Sequence, residues 1–311
     1  MTTRKLVAET TGPVTIDATL LGHGGLVTVR AEANCTRATL TIHTADEDGA
    51  SADAVKDATL RQSGNRLTAS VQGSGGGNSG STIVVGGGSS VIQSFGTVTG
   101  SVTGMTITGN GGTFISGVGG GDVIVNGVRI SGGGTVIQGS SPIEITAVVP
   151  EGSSVESRTQ SASVLALGAL LNVDTSTQSG SVQTEHVSRV EAKTQSGSIT
   201  VEQAANIDAQ SQSGSIRLGR TDVVTAKTMS GSISIQDFGG TAKADSMSGS
   251  IRIHATAGGD IHAKTMSGSI NVTATESALA DDLDVRASSM SGRVSTPQQR
   301  RTGDSAPRRR R

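Results

Sequence analysis
Between residues 153 and 296 apolar and polar side chains alternate in short bursts, and each burst sits beside a Ser-Gly-Ser or a close variant. The glycines of that tripeptide are Gly180, Gly197, Gly214, Gly231, Gly249, Gly268 and Gly292, at intervals of 17, 17, 17, 18, 19 and 24 residues. Ala162, in Gln160-Ser-Ala-Ser-Val164, reads as a degenerate first copy, which brings the number of copies to eight. Aligned on the glycine, the seventh place before it is Val, Ile or Ala in every copy, from Val155 to Val285. The fifth before is Ala from Ala192 to Ala287, the third before is always Thr or Ser, and the second after is always Val or Ile. The fourth after is usually apolar (Val201, Leu218, Ile235, Ile253, Val272), with Thr184 and Thr296 as exceptions.

Alternation with a period of two is the signature of a strand with one buried face. The alternation slips by one residue across the tripeptide, and a corner there explains the slip, because glycine tolerates the backbone angles of a sharp bend. Each copy is therefore expected to hold two strands of about five residues, joined by a corner and followed by a looser return. Recurrence of residue types in fixed columns predicts parallel coils stacked in register about 4.8 Å apart. Eight of them would span roughly 35–40 Å. The Thr/Ser column is expected to form a hydroxyl ladder. A meander of antiparallel hairpins turning at Ser-Gly is the competing reading, but hairpins need no column identity. The expected fold class is all-β: a right-handed parallel β-solenoid of about eight coils, preceded by a small β-rich module.

The rest of the chain divides by composition. Residues 1–72 read as that module, with strand-like runs at Pro13–Thr19, Leu26–Ala31 and Arg37–Thr44, a short helix at Ser51–Asp57 and a hairpin closing on Ser63-Gly-Asn65. Residues 73–142 form a glycine-rich, irregular β segment, since 73–139 contain 23 of the 44 glycines and only two charged residues, Asp122 and Arg129. Within it, Asp122–Ile130 predicts a hairpin turning at Asn126-Gly127. Residues 143–296 carry the solenoid repeats, and 297–311 form a polar tail without periodicity, expected to be disordered.

The chain lacks Trp and Tyr and has three Phe, so its core must be thin and built from small β-branched side chains. Six arginines of the tail (Arg300, Arg301, Arg308, Arg309, Arg310 and Arg311) face one acid there, Asp304, on an otherwise mildly acidic chain. That asymmetry allows weak, salt-sensitive contact with a polyanion. Cys35 is the single cysteine, which excludes an intrachain disulfide and is read as inert. The N-terminus has no apolar stretch of signal-peptide length, and no run approaches a membrane span. The expected location is the cytoplasm, with the cell surface reachable only by a route without an N-terminal signal.

The columns around repeated Ser-Gly-Ser-Ile, after an N-terminal module containing Thr44-Ala-Asp-Glu-Asp-Gly-Ala-Ser-Ala-Asp-Ala-Val55, resemble the bacterial putative-adhesin family of β-strand-repeat proteins over residues 4–296. That family is largely a domain of unknown function, common in actinobacteria. The resemblance implies a surface interaction role and brings no catalytic residues with it.

Candidate chemistry is sparse. A polysaccharide-cleaving β-helix needs paired carboxylates and sugar-stacking platforms. Gly22-His23-Gly24 is similar to one motif of such enzymes, but it lies outside the repeats and lacks its partner elements. Asp174, Glu191 and Asp208 share one column and would stack on one face, either as a solvated charged face with Lys193 and Lys227 two columns over, or as a weak Ca²⁺ site. Gly117–Val125 has one calcium β-roll nonapeptide where tandem copies are needed, and the tract Gly73–Gly80 lacks the lysine of a phosphate loop. His23, His43, His186, His254 and His262 show no metal-ligand spacing and read as polar surface. The column two before the glycine runs Gln178, Gln195, Gln212, Met229, Met247, Met266, Met290. Its methionines are either packed inside the corner, the favoured reading, or an exposed stripe suited to a partner. No cofactor is expected. The favoured function is a non-enzymatic structural or interaction protein of unknown partner, the alternative a polysaccharide hydrolase or lyase.

Overall fold
A computed structural model describes residues 1–22, 24–72 and 141–297, together with the backbone of four short strands between them. His23, the turn at Asn126-Gly127, the glycine tracts and the six tail arginines lie outside the described residues. The chain forms two compact units, Met1–Leu165 and Ala166–Arg311.

In the first unit, β1 (Thr2–Val7), β2 (Thr15–Leu21), β3 (Gly25–Glu32) and β4 (Thr39–Thr44) precede the helix α1 (Ala50–Asp57), and β5 (Thr59–Ser63) and β6 (Arg66–Gln72) follow it. The four short strands come next: β7 (Gly112–Ile115), β8 (Val123–Val125), β9 (Val128–Ile130) and β10 (Thr135–Gln138). β8 pairs antiparallel with β9, the arrangement expected around Asn126-Gly127, and β10 pairs with β7. The unit is completed by β11 (Ile143–Pro150) and β12 (Ser154–Thr159).

Two sheets result. One runs β1-β4-β11-β3, with β11 parallel to β3 and antiparallel to β4; the other runs β5-β6-β2-β12, with β2 parallel to both β6 and β12. Strict alternation sends Ile16, Ala18 and Leu20 of β2, Leu40 and Ile42 of β4, Leu67 and Val71 of β6 and Ile143 and Ile145 of β11 into the core. The helix covers part of that core with Ala52 and Val55. Thus β11 and β12, the strands nearest the degenerate first repeat copy, are built into the N-terminal module. The hairpin closing on Ser63–Arg66 forms as expected, with Gly64 at φ 58°.

The second unit is solenoid-like. It follows from β13 (Ser163–Thr177) through β14 (Val182–Thr194), β15 (Ile199–Ser211), β16 (Ile216–Thr228), β17 (Ile233–Ser246), β18 (Ile251–Ser267) and β19 (Ile270–Ala274). The short helix α2 (Glu276–Ala280), β20 (Leu283–Ser291) and β21 (Val294–Ser295) end it. Each strand from β14 on pairs in parallel with its equivalent one turn later: Val182 with Ile199, Ile199 with Ile216, Ile216 with Ile233, Ile233 with Ile251 and Ile251 with Ile270. The pairing excludes the hairpin meander.

The expected looser return is present only in the longer turns, as at α2 (Glu276–Ala280); in the 17-residue turns it is part of the ladder. A further inward position, seven after the glycine, closes the core with Val187, Ala204 and Phe238, and Ala255, six after Gly249, pairs with Phe238 across a register shift. A turn such as 197–213 buries Gly197, Ile199, Val201, Ala204, Ile207, Ala209 and Ser211. Three-residue steps flank Ala204 and precede the next glycine, so the chain bends there without leaving the ladder. Longer turns take up their extra residues between the fourth place after one glycine and the seventh before the next. Examples are Gly240 (φ 133°), Gly259 (φ 145°) and α2.

Candidate interaction face
The corner fixes everything outside it. From Gly180 to Gly249 the Thr or Ser three before the glycine turns inward and accepts the glycine N–H, at 2.9 Å for Thr194 and Gly197 and 2.8 Å for Ser211 and Gly214. The hydroxyl in turn donates to the glycine carbonyl of the preceding turn, at 3.4 Å from Thr194 to Gly180 and 3.4 Å from Ser211 to Gly197. In place of the expected hydroxyl ladder, the hydroxyls of Thr194, Ser211 and Thr228 each bond to two successive glycines. The glycine itself is buried against the glycine of the turn before. A Cβ on Gly214 would lie 1.7 Å from the Gly197 carbonyl oxygen, so no other residue fits.

With places three before and zero inward, the two residues between them both face solvent. Met229, Met247 and Met266 are 49%, 46% and 47% exposed and Met290 is 78% exposed. The core reading of this column is overturned: the bend at the corner interrupts the alternation, and the methionines stand on the outer edge of it. Gln178, Gln195 and Gln212 continue the same row. Beside it, two residues earlier in each turn, run Ser176, Lys193, Gln210, Lys227, Asp245 and Lys264. A shallow groove of about 740 Å³ lies between the two rows, floored by Thr177, Thr194, Ser211, Thr228 and Ser246.

Glu191 and Asp208 do meet on neighbouring strands of this wall. Each is engaged by its own strand, however: Glu191 with Lys193 Nζ at 2.7 Å, Asp208 with Gln210 Nε2 at 3.2 Å. The hydrogen bond from Lys193, with its charge, holds Glu191 below the usual carboxylate range, and the same bond raises Lys193. Among the described residues no three His, Cys, Asp or Glu side chains, Asp174 included, converge as metal ligands. His254 and His262 both lie on β18, and His254 Nδ1 sits 2.9 Å from Thr273 Oγ1. Cys35 Sγ contacts the Arg37 carbonyl at 3.2 Å.

Two carboxylates converge elsewhere, in a cluster without a local sequence signal. Asp17 and Glu156 are opposite one another on parallel β2 and β12, and Arg66 lies on the adjacent β6. Its guanidinium donates to both Glu156 oxygens at 2.7 Å and 2.7 Å and to Asp17 at 3.2 Å. The Arg66 hydrogen bonds draw Glu156 below its ordinary proton affinity. A glycosidase acid needs the opposite, a carboxyl whose proton affinity is raised. The cluster is a clamp across three strands.

With this geometry in view, the sequence match that decides the family covers residues 32–309. The chain belongs to the Toastrack DUF4097 family. Toastrack is a solenoid-like fold, as the second unit is. Solved structures similar to this Toastrack chain include a putative adhesin from Parabacteroides merdae, at 12% identity and TM-score 0.45, covering 96% of this chain and 97% of that one. Another is a putative adhesin from Bacteroides fragilis, at 13% identity and TM-score 0.36, covering 95% and 97%. A third is a putative lipid binding protein from Parabacteroides distasonis, at 12% identity and TM-score 0.33, covering 96% and 97%. No curated protein matches the chain.

Proposed function
We propose that this Toastrack chain is a non-enzymatic, adhesin-like interaction protein that meets its partner with the outer wall of its repeat array. The observation that carries the reading is the registered outer wall, in which buried glycines and inward hydroxyls hold Gln and Met in one continuous exposed row beside a polar row that includes Lys193, Lys227 and Lys264. A side chain that serves only the core has no reason to be half-exposed in the same way on three successive turns. In its finer form the reading is a right-handed parallel solenoid of about eight coils. The strong preference of parallel crossovers for the right hand supports it.

The test pairs a binding assay with an activity assay on the full chain. Immobilised protein is expected to retain bacterial envelope fractions, and a variant with Met229, Met247 and Met266 changed to Ser is expected to lose that retention. Incubation with polyuronates is expected to release no reducing ends. Release that disappears in Glu156→Gln would establish the hydrolase alternative instead. Among the described residues no helix is long and apolar enough to cross a membrane.

A further inference from the structure
The corner at Ser-Gly-Ser changes character along the array. In the turns centred on Gly180, Gly197 and Gly214, the outward positions from six before to five after the glycine hold Gln178, Gln195 and Gln212 at the corner. Five acids (Asp174, Glu185, Glu191, Glu202, Asp208) surround them, against two bases, Lys193 and Arg217. In the turns centred on Gly231, Gly249, Gly268 and Gly292 the same positions hold Met229, Met247, Met266 and Met290. Around these stand six bases (Lys227, Lys243, Arg252, Lys264, Arg286, Arg293), with His254 and His262, and one acid, Asp245. Just outside the window, Asp284 is held by Arg286 at 2.9 Å. Glutamine gives way to methionine at the same turn at which acid gives way to base. The bases flank the methionine row on both walls of the corner: Lys227, Lys243, Lys264 and Arg286 before the glycine, Arg252 and Arg293 after it.

We infer that this basic, methionine-bearing corner docks on an anionic lipid surface, an inference that rests on the outer wall being the interaction face. The arrangement meets the two requirements of reversible surface binding. A row of flexible apolar side chains can enter the acyl boundary, and cations on both sides can reach the headgroups with their stems lying along the apolar edge. Three methionines of nearly equal exposure, one per turn, line one side of the shallow groove. An apolar row of even exposure flanked by cations suits a deformable anionic surface better than a protein partner, which would need pockets to receive each side chain. The backbone adds no unmet cost on approach, because corner amides are already paired between turns, as Ser213 N with Gln195 O at 2.8 Å and Ser230 N with Gln212 O at 2.9 Å.

The test is co-sedimentation of the full chain with phosphatidylcholine vesicles, with and without phosphatidylglycerol. Binding is expected only where phosphatidylglycerol is present, and to weaken as salt is raised. Met247→Ser with Met266→Ser is expected to lower the partition coefficient by roughly tenfold. Lys227→Glu with Lys264→Glu is expected to abolish binding. Leu171→Ser with Val223→Ser, exposed apolar residues away from the corner, should leave it unchanged, and far-UV circular dichroism confirms that each variant keeps its fold. Equal binding to phosphatidylcholine alone overturns the inference. So does binding that survives both the methionine and the lysine pairs, which would place the contact on the arginine tail, or loss with the lysines but not the methionines, which would mark a soluble polyanion. Retention of envelope fractions that depends on the methionines, without vesicle binding, would sink the lipid inference and leave the interaction reading standing.

Discussion
At the scale of single residues, the repeat is held by a contact between one glycine and the next. Each corner glycine is pressed on the carbonyl of the glycine one turn earlier, so a methyl group there cannot be relieved by a side-chain rotation and must push the backbone apart. Gly214→Ala is expected to cost about 3 kcal/mol or more, read from the denaturant midpoint, because it strains two turns at once. The neighbouring Ser211 makes the companion case. Its hydroxyl is the acceptor for the buried Gly214 N–H, so Ser211→Ala leaves that amide unpaired and is expected to cost roughly 1–3 kcal/mol. Ser211→Thr should be close to neutral, since Thr194 and Thr228 do the same work in the turns on either side. A methyl added at 211 that destabilised as much as the loss of the hydroxyl would show that the bond to Gly214 is not what matters.

At the scale of elements, parallel pairing brings together residues that no local pattern connects. Arg66, Asp17 and Glu156 come from three strands far apart in sequence, and their clamp has a pH signature. Glu156 is drawn below its ordinary value by Arg66. Its contribution is therefore complete above the unfolded carboxylate value of roughly 4.3 and fades as pH falls through the lower folded value. Arg66 and Glu156 are 42% and 38% exposed, so the contribution is under about 1 kcal/mol. Glu156→Gln is expected to lower stability slightly at neutral pH and to melt with the wild type in acid; an equal gap at both would remove the ion pair as the cause. Such clusters were closed to sequence reading, whereas the columns at Val190, Ala192, Thr194 and Ile199 were open to it because each repeats one residue class at a period of two. The inward position at Val187, Ala204, Thr221 and Phe238 mixes sizes and polarity and is flanked by three-residue steps, so it matched no period and read as a return loop. The methionine row failed for a related reason: two consecutive outward residues at a bend cannot be assigned a face by alternation.

At the scale of the molecule, a ladder whose turns contact mainly their neighbours should behave as a sum of turns. The turns around Gly180, Gly197, Gly214 and Gly231 are each 17 residues apart, and those around Gly197, Gly214 and Gly231 share every inward class except at Ala204, Thr221 and Phe238. Deleting residues 198–214 joins Gly197 directly to Ser215, a junction identical in sequence to the natural Gly197-Ser198. It sets Val182 beside Ile216 and Ala192 beside Ala226, partners of the types already paired along these columns. The shortened chain is expected to fold, to keep its β-type circular dichroism and to unfold cooperatively at a lower denaturant concentration. Deleting residues 198–206 instead removes about half a turn and carries the next inward set out of step with the turn before. Ile207 would then follow Gly197 immediately, where the second place after the glycine needs Val or Ile, and every later column is displaced against its neighbour. That variant should lose cooperative unfolding, since slipping by an odd number of residues turns a strand's buried face outward. If both deletions are tolerated equally, the columns do not set the register, and the equivalence of successive turns is only a likeness of sequence.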